Sequence, residues 1–255
     1  ERGRSSNPLK CAPMRAAPFA SLIAGLALTF LPGLAAARTP VIVELFTAQG
    51  CSSCGEANAS IAKLADRPDV LPLTFSVDYW DYLGWTDTFA KPEFALRQKA
   101  YVARLALREP YTPQVVVDGR AQAGGLQTEK VDKLIEQAAA SHGRAPDIAF
   151  ITAHRVDVGA GVAPRGGADV WLVRYDPREQ DVAIRKGDNR GQTVPHLNVV
   201  REITRLGAWK GRPTAYRLPP PPEDGLVTLI LVQGSKGGRI MAAGRPKTPA
   251  AKSSS

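Results

Sequence analysis

With 255 residues, 44% of them hydrophobic and 22% charged, the chain can bury a sizeable core in one or two domains, which excludes a disordered tail or a fibre. Its formal net charge of +9 is dispersed, with no Lys/Arg block interleaved with aromatics, and this excludes nucleic acid as the expected partner.

In chain order, Met14-Arg15-Ala16-Ala17-Pro18, the apolar run Phe19 to Leu31 and Ala35-Ala36-Ala37 have the basic start, apolar middle and small-residue cleavage site of a secretory signal. Residues 1–37 are therefore expected to be upstream residues and signal, with the mature chain starting near Arg38 in the periplasm or outside the cell. The apolar run is broken at Pro32 and Gly33 and is too short to cross the ~30 Å hydrocarbon layer comfortably, so no stable membrane span is expected after cleavage.

Val41 to Phe46 is an apolar, β-branched run that reads as a buried strand. Cys51-Ser52-Ser53-Cys54 follows, and Ala57, Ile61, Leu64 and Ala65 then recur at near-helical spacing, which puts the cysteine pair where a strand meets a helix N-terminus. A second strand is expected at Leu71 to Val77, followed by the aromatic-acidic loop from Asp78 to Trp85. Phe94, Gln98, Tyr101 and Leu105 mark one face of a helix within Lys91 to Arg108, which Pro110 ends. Thr112-Pro113 opens the strand Gln114 to Val117, the turn Asp118-Gly119 closes it, and a helix is expected from Thr128 to Ser141.

After Pro146 the chain changes to short alternating runs, at Ile148 to Ala153, Asp169 to Tyr175, Val182 to Arg185 and Gly225 to Val232. These predict antiparallel strands, with one helix at about Val199 to Leu206. The expected organisation is a first domain over residues 38–145, a β-rich domain over 146–245 and a disordered tail over 246–255.

Cys11 lies upstream of the signal, so Cys51 and Cys54 are the only cysteines of the expected mature chain. A bridge across so short a loop removes little chain entropy, and reactivity explains the pair better than stapling. At a helix N-terminus, unpaired N–H groups and the positive end of the dipole stabilise a thiolate. Cys51 is thus the expected exposed nucleophile and Cys54 the buried resolving thiol. CxxC alone is unspecific, but a strand before it, a helix after it and Thr112-Pro113 opening a later strand match the thioredoxin fold. There the proline is cis and lies against the disulfide, so Thr112 and Pro113 would present backbone to an incoming thiol. Glu44, the one charge in the first strand, reads either as a proton acceptor for Cys54 or as half of a salt bridge. Tyr79, Trp80 and Trp85 read either as a wall of a substrate groove or as core beneath a long loop.

Four-ligand zinc has no second CxxC or close His pair to use, so no metal or cofactor is expected; copper(I) on the two thiolates stays open as an alternative. His196, Asn198 and Arg201 carry no catalytic spacing. The expected partners are protein thiols or disulfides, or a redox partner protein. A redox-inert binding or scaffold module is the other open reading.

The string Glu44-Leu45-Phe46-Thr47-Ala48-Gln49-Gly50-Cys51-Ser52-Ser53-Cys54, with Val77 to Trp85, Tyr111 to Gln114 and Asn198 to Arg201, resembles a family of uncharacterised secreted bacterial proteins with a thioredoxin-like domain. The resemblance implies an α/β thioredoxin-like domain followed by a small, mainly antiparallel, sandwich-like β domain, in an envelope protein. Gly55 stands where many relatives have proline.

Overall fold

Every residue of the first strand, β1 (Val41–Thr47), is buried. A strand covered on both faces needs apolar residues at successive positions rather than at alternate ones. The computed structural model describes Gly3 and residues 39–221 and 225–246, so the expected signal (Gly3 apart) and the tail beyond Pro246 lie outside the described residues. The remaining strands are β2 (Val70–Ser76), β3 (Gln114–Val117), β4 (Ala121–Gly124), β5 (Ile148–Thr152), β6 (Arg155–Val158), β7 (Ala168–Asp176) and β8 (Gln180–Ala183). They continue with β9 (Thr193–His196), β10 (Val199–Trp209), β11 (Thr214–Arg217), β12 (Val227–Gly234) and β13 (Ile240–Gly244). Three α-helices accompany them among the described residues: α1 (Cys54–Ala62), α2 (Pro92–Arg104) and α3 (Thr128–Ala140).

The expectation of an α/β thioredoxin-like domain followed by a small antiparallel β domain is overturned. The chain is mostly β, and strands from both segments share one eight-stranded mixed sheet in the order β13-β12-β7-β10-β2-β1-β3-β4. The segment read as a helix at Val199 to Leu206 is the start of the eleven-residue β10, which joins the two halves of this sheet. It pairs with β7 along its length and meets β2 in parallel at Val199 opposite Thr74. Just before it, Thr74 N donates to Asn198 O at 3.0 Å and Asn198 Nδ2 to Pro72 O at 2.8 Å. Val199, Val200, Ile203 and Leu206 fit a helical spacing, but Val199, Val200, Ile203 and Thr204 are β-branched and favour a strand. Register shifts between Val200 and Glu202 and between Arg205 and Gly207 spoil the two-residue alternation by which a strand is recognised.

The main sheet is covered on both faces. Ile42, Phe46, Leu73 and Phe75 pack with Phe94 and Tyr101 of α2, while Val41, Val43, Leu45, Val115 and Val117 pack with Ile61 of α1 and Val131 and Ile135 of α3. Further along, Val170, Leu172, Ile230 and Val232 bury against Val156, Val158 and Tyr216 of the three-stranded sheet β11-β6-β5. Pro92 opens α2 at its first turn, where a missing N–H costs nothing. The β3–β4 turn has positive φ at Asp118 (47°) and Gly119 (63°), the conformation that an Asp-Gly pair favours. The third sheet is the two-stranded hairpin β8–β9, with Gln180 opposite His196.

Candidate functional site

Cys51 and Cys54 form a disulfide with Cα atoms 5.4 Å apart, and Cys54 is the first residue of α1. Ser53 caps α1 without any side-chain hydrogen bond; its hydroxyl instead lies 3.8 Å from Cys51 Sγ. The first turn of α1 therefore begins at Cys54 with the positive end of the helix and no side-chain cap, and Cys54 N itself donates to Cys51 O at 3.1 Å. Against expectation Cys51 is buried, at 3% exposure, beside Cys54 at 0%. Ser52 between them is exposed.

Two segments far apart in sequence pack beside the residues that carry the pair. The aromatic loop is the first, and Trp80 lies against Gly50, where an added Cβ would sit 3.6 Å from Trp80 Cβ. Trp80 Nε1 donates to Thr112 Oγ1 at 2.7 Å, and the Thr112–Pro113 peptide bond is cis. Pro113 is buried and adjoins the helix carrying Cys54, because both it and Ala57 pack on Gly125. A Cβ at Gly125 would lie 2.8 Å from Pro113 Cβ and 3.0 Å from Ala57 Cβ. Gly125→Ala is accordingly expected to cost about 1–3 kcal/mol by overpacking, read as a lower midpoint in urea unfolding; an unchanged midpoint would show that proline and helix are not pressed together there.

The loop is anchored by polar contacts. Asp87 accepts from Gln49 N (2.7 Å), Phe89 N (2.9 Å) and Ala90 N (3.2 Å), and burial pushes its carboxyl above the usual range. Trp85 Nε1 donates to Gln49 Oε1 at 2.8 Å. The Tyr79 hydroxyl donates to Gln98 Oε1 at 3.1 Å, and desolvation pushes the phenol up to about 12. Tyr79 and Trp80 pack against the core beneath α2, whereas Tyr82, stacked on Trp80, is 78% exposed.

The second segment is the β8–β9 hairpin, which the sequence reading did not connect with the cysteines. Asn189, from the turn between the two strands, donates through Nδ2 to Gln49 O (2.7 Å) and Cys51 O (2.8 Å). Asn58 of α1 donates to Pro195 O at 2.9 Å and accepts from Thr47 Oγ1 at 2.7 Å, and Gly55 faces Val194. Asp188-Asn189-Arg190-Gly191 signals a turn by its composition, but nothing local relates it to a cysteine 138 positions away. His196 is 2% exposed, with Nδ1 3.0 Å from Val194 O and its ring edge-on to Phe89. Desolvation lowers its pKa to about 4.

Glu44 is fully buried on the α2 side of the sheet, with both carboxylate oxygens occupied. Oε1 accepts from Arg97 Nε at 2.7 Å and Oε2 from the Tyr101 hydroxyl. That hydroxyl accepts in turn from Arg97 Nη2 (3.0 Å) and Gln233 Nε2 (2.9 Å).

Among the described residues no group of three or more His, Cys, Asp or Glu side chains is placed to hold a metal ion, and no helix is long and apolar enough to cross a membrane. One cleft lies between α1 and α3, lined by Ser60, Ile61, Thr128 and Val131, and another lies beside Arg155, Asp157 and Pro213. Neither includes a cysteine.

No curated protein matches the chain. The crystal structure of an Agrobacterium tumefaciens protein from a structural-genomics programme is similar at 30% identity and a TM-score of 0.66, covering 82% of this chain and 95% of that one. The structure of HBP35 of Porphyromonas gingivalis is similar in fold alone, at 15% identity and a TM-score of 0.55, over 84% of this chain and 78% of that one. The family described as a protein of unknown function, DUF1223, matches residues 42–233, a stretch that holds the cysteine pair, the aromatic loop and the β8–β9 hairpin. The chain belongs to the DUF1223 family of uncharacterised proteins.

Proposed function

We propose that this protein is an envelope thiol-disulfide exchange protein that acts on protein clients through Cys51 and Cys54. The observation that carries the reading is the disulfide closed over a sequence separation of 3 at the uncapped start of α1. So small a loop contributes little as a staple, while the helix terminus stabilises the thiolate that exchange requires.

In the oxidising direction a client thiolate attacks Cys51 Sγ, forming a mixed disulfide while the Cys51–Cys54 bond breaks and Cys54 leaves as thiolate. A second client thiolate attacks the client sulfur of that mixed disulfide. The client departs with a disulfide, Cys51 leaves as thiolate, and the pair has gained two electrons. The reducing direction is the reverse, with Cys51 attacking and Cys54 resolving. A redox partner protein carrying a dithiol or disulfide restores the starting state. In this reading Thr112, Pro113 and Trp80 form the surface that a client meets, and Tyr79 and Trp85 hold the aromatic loop in place through Gln98 and Gln49. Glu44 anchors α2 in this reading instead of relaying a proton, since both its oxygens are taken.

The burial of Cys51 favours a second reading, a redox-inert binding module with a structural disulfide. Redox titration of the full chain in glutathione and dithiothreitol buffers, with Cys51→Ser as control, separates the two. Exchange predicts reversible cycling at a potential within the roughly −270 to −120 mV range of such motifs. A pair that stays oxidised throughout decides for the inert module.

A further inference from the structure

We propose that the β8–β9 hairpin is a movable cover over the disulfide and that Asn189 is its latch, a positioning residue rather than a catalytic one. The inference rests on the reading of Cys51–Cys54 as a reactive pair, because a client must reach a sulfur that the closed protein buries.

Of the two segments, the aromatic loop has its polar groups matched: Asp87 takes three backbone N–H groups, and Trp80 and Trp85 each donate to a side chain of the core. The hairpin differs. Among the described residues five buried side-chain nitrogen or oxygen atoms lack a hydrogen-bond partner, and three of them, Gln180 Nε2, Asn189 Oδ1 and His196 Nε2, belong to this one hairpin. Each is a buried polar atom that the protein itself leaves without a hydrogen-bond partner, which opposes the closed position and is relieved when the hairpin lifts into solvent.

The strands β8 and β9 pair with each other and with no strand of the eight-stranded sheet. Their base is fastened on one side by Thr74 Oγ1 donating to Leu197 O at 2.7 Å and by Asn198 on Pro72 O, and on the other by the ion pair of Arg178 with Asp176. The turn is held by Asn189 Nδ2 on the carbonyls of Gln49 and Cys51. Two carbonyl acceptors require the NH2 end of the amide to face them, which leaves Oδ1 as the atom without a partner. A base fixed to β2, a strand β9 that meets α1 through Asn58 on Pro195 O and Val194 beside Gly55, and a turn held by Asn189 make a flap whose outermost release point lies against the backbone of the reactive cysteine.

The test compares the rate at which dithiothreitol reduces the oxidised full chain, followed by thiol titration, in wild type and Asn189→Ala, with urea midpoints measured alongside. Loss of the two latch hydrogen bonds is expected to speed reduction by about tenfold or more while the urea midpoint stays close to wild type. Hydrogen exchange in the unmodified protein keeps the proposal testable should the variant fail to fold: amides of residues 180–196 should exchange faster than those of β1 and β7. Equal reduction rates, or hairpin amides that exchange only together with the main sheet, would overturn the latch. Reversible cycling at an unchanged reduction rate removes the latch alone, whereas faster reduction by dithiothreitol of a pair whose potential lies below about −270 mV, outside the range of exchange motifs, removes the exchange function and leaves the cover standing.

Discussion

Arg97→Ala is expected to destabilise the protein by about 3–5 kcal/mol, the range for breaking a buried ion pair from one side. The Glu44 carboxylate is 0% exposed, and the substitution would leave it only the Tyr101 hydroxyl. The guanidinium is also packed between rings, 5.6 Å from the centroid of Phe75, 5.3 Å from Tyr101 and 5.8 Å from Trp171, so the truncation removes apolar contact as well as charge. For a chain of this size the loss corresponds to a drop in Tm of roughly 10 °C. The companion measurement is the double variant Glu44→Gln with Arg97→Met, which takes away both charges and keeps volume. It should recover much of the loss, since an ion pair replaced on both sides is often nearly neutral. If the double variant is as unstable as the single one, packing rather than the stranded charge holds α2 on the sheet.

Acidification from pH 7 to pH 4 is expected to remove about 3 kcal/mol of stability through His196. Desolvation holds its pKa at about 4 in the folded chain against the ordinary 6.5, and one pKa unit corresponds to about 1.4 kcal/mol. Between those values the unfolded chain binds a proton that the folded chain refuses. Stability is therefore complete above about pH 6.5 and is lost progressively as the pH falls toward 4. The neighbouring charges pull in opposite directions, Asp181 favouring the imidazolium and Arg201 opposing it, while burial remains the dominant cause. Asp87 works in the other sense: its raised carboxyl pKa makes the folded chain take up a proton more readily, which offsets part of the loss at the acid end. Urea midpoints at pH 7.5, 5.5 and 4.5 check the prediction, with His196→Gln expected to flatten the slope between pH 6.5 and 4. Parallel slopes in the two proteins would assign the acid limb to other groups.

The elements legible in the sequence are those whose signal is complete within a dozen residues. The apolar runs at β1, β2 and β3, the helical stripes of α2 and α3 and the Asp118-Gly119 turn all lie where the pattern puts them. The string from Glu44 to Cys54 pointed to an uncharacterised family, and the chain belongs to one. Several four- or five-residue strands, β4, β6, β9, β11 and β13, were missed because so few residues cannot establish a period against their turns. β10 was misread because two register shifts conceal its alternation. That one error divided the fold, since β10 is the strand through which the second half of the chain joins β2.

The sequence by itself determined that Cys51 and Cys54 stand two residues apart at the start of a helix, after a buried strand and ahead of an aromatic loop. Chain connectivity alone enforces that geometry, because each feature involves neighbours. Only the tertiary structure decided that strands from both halves make one sheet, that Glu44 meets Arg97, and that Asn189 closes over the cysteines from 138 positions away. Pairing, burial and ion-pair choice are properties of surfaces brought together by folding, and a surface carries no record in the local sequence of what will cover it.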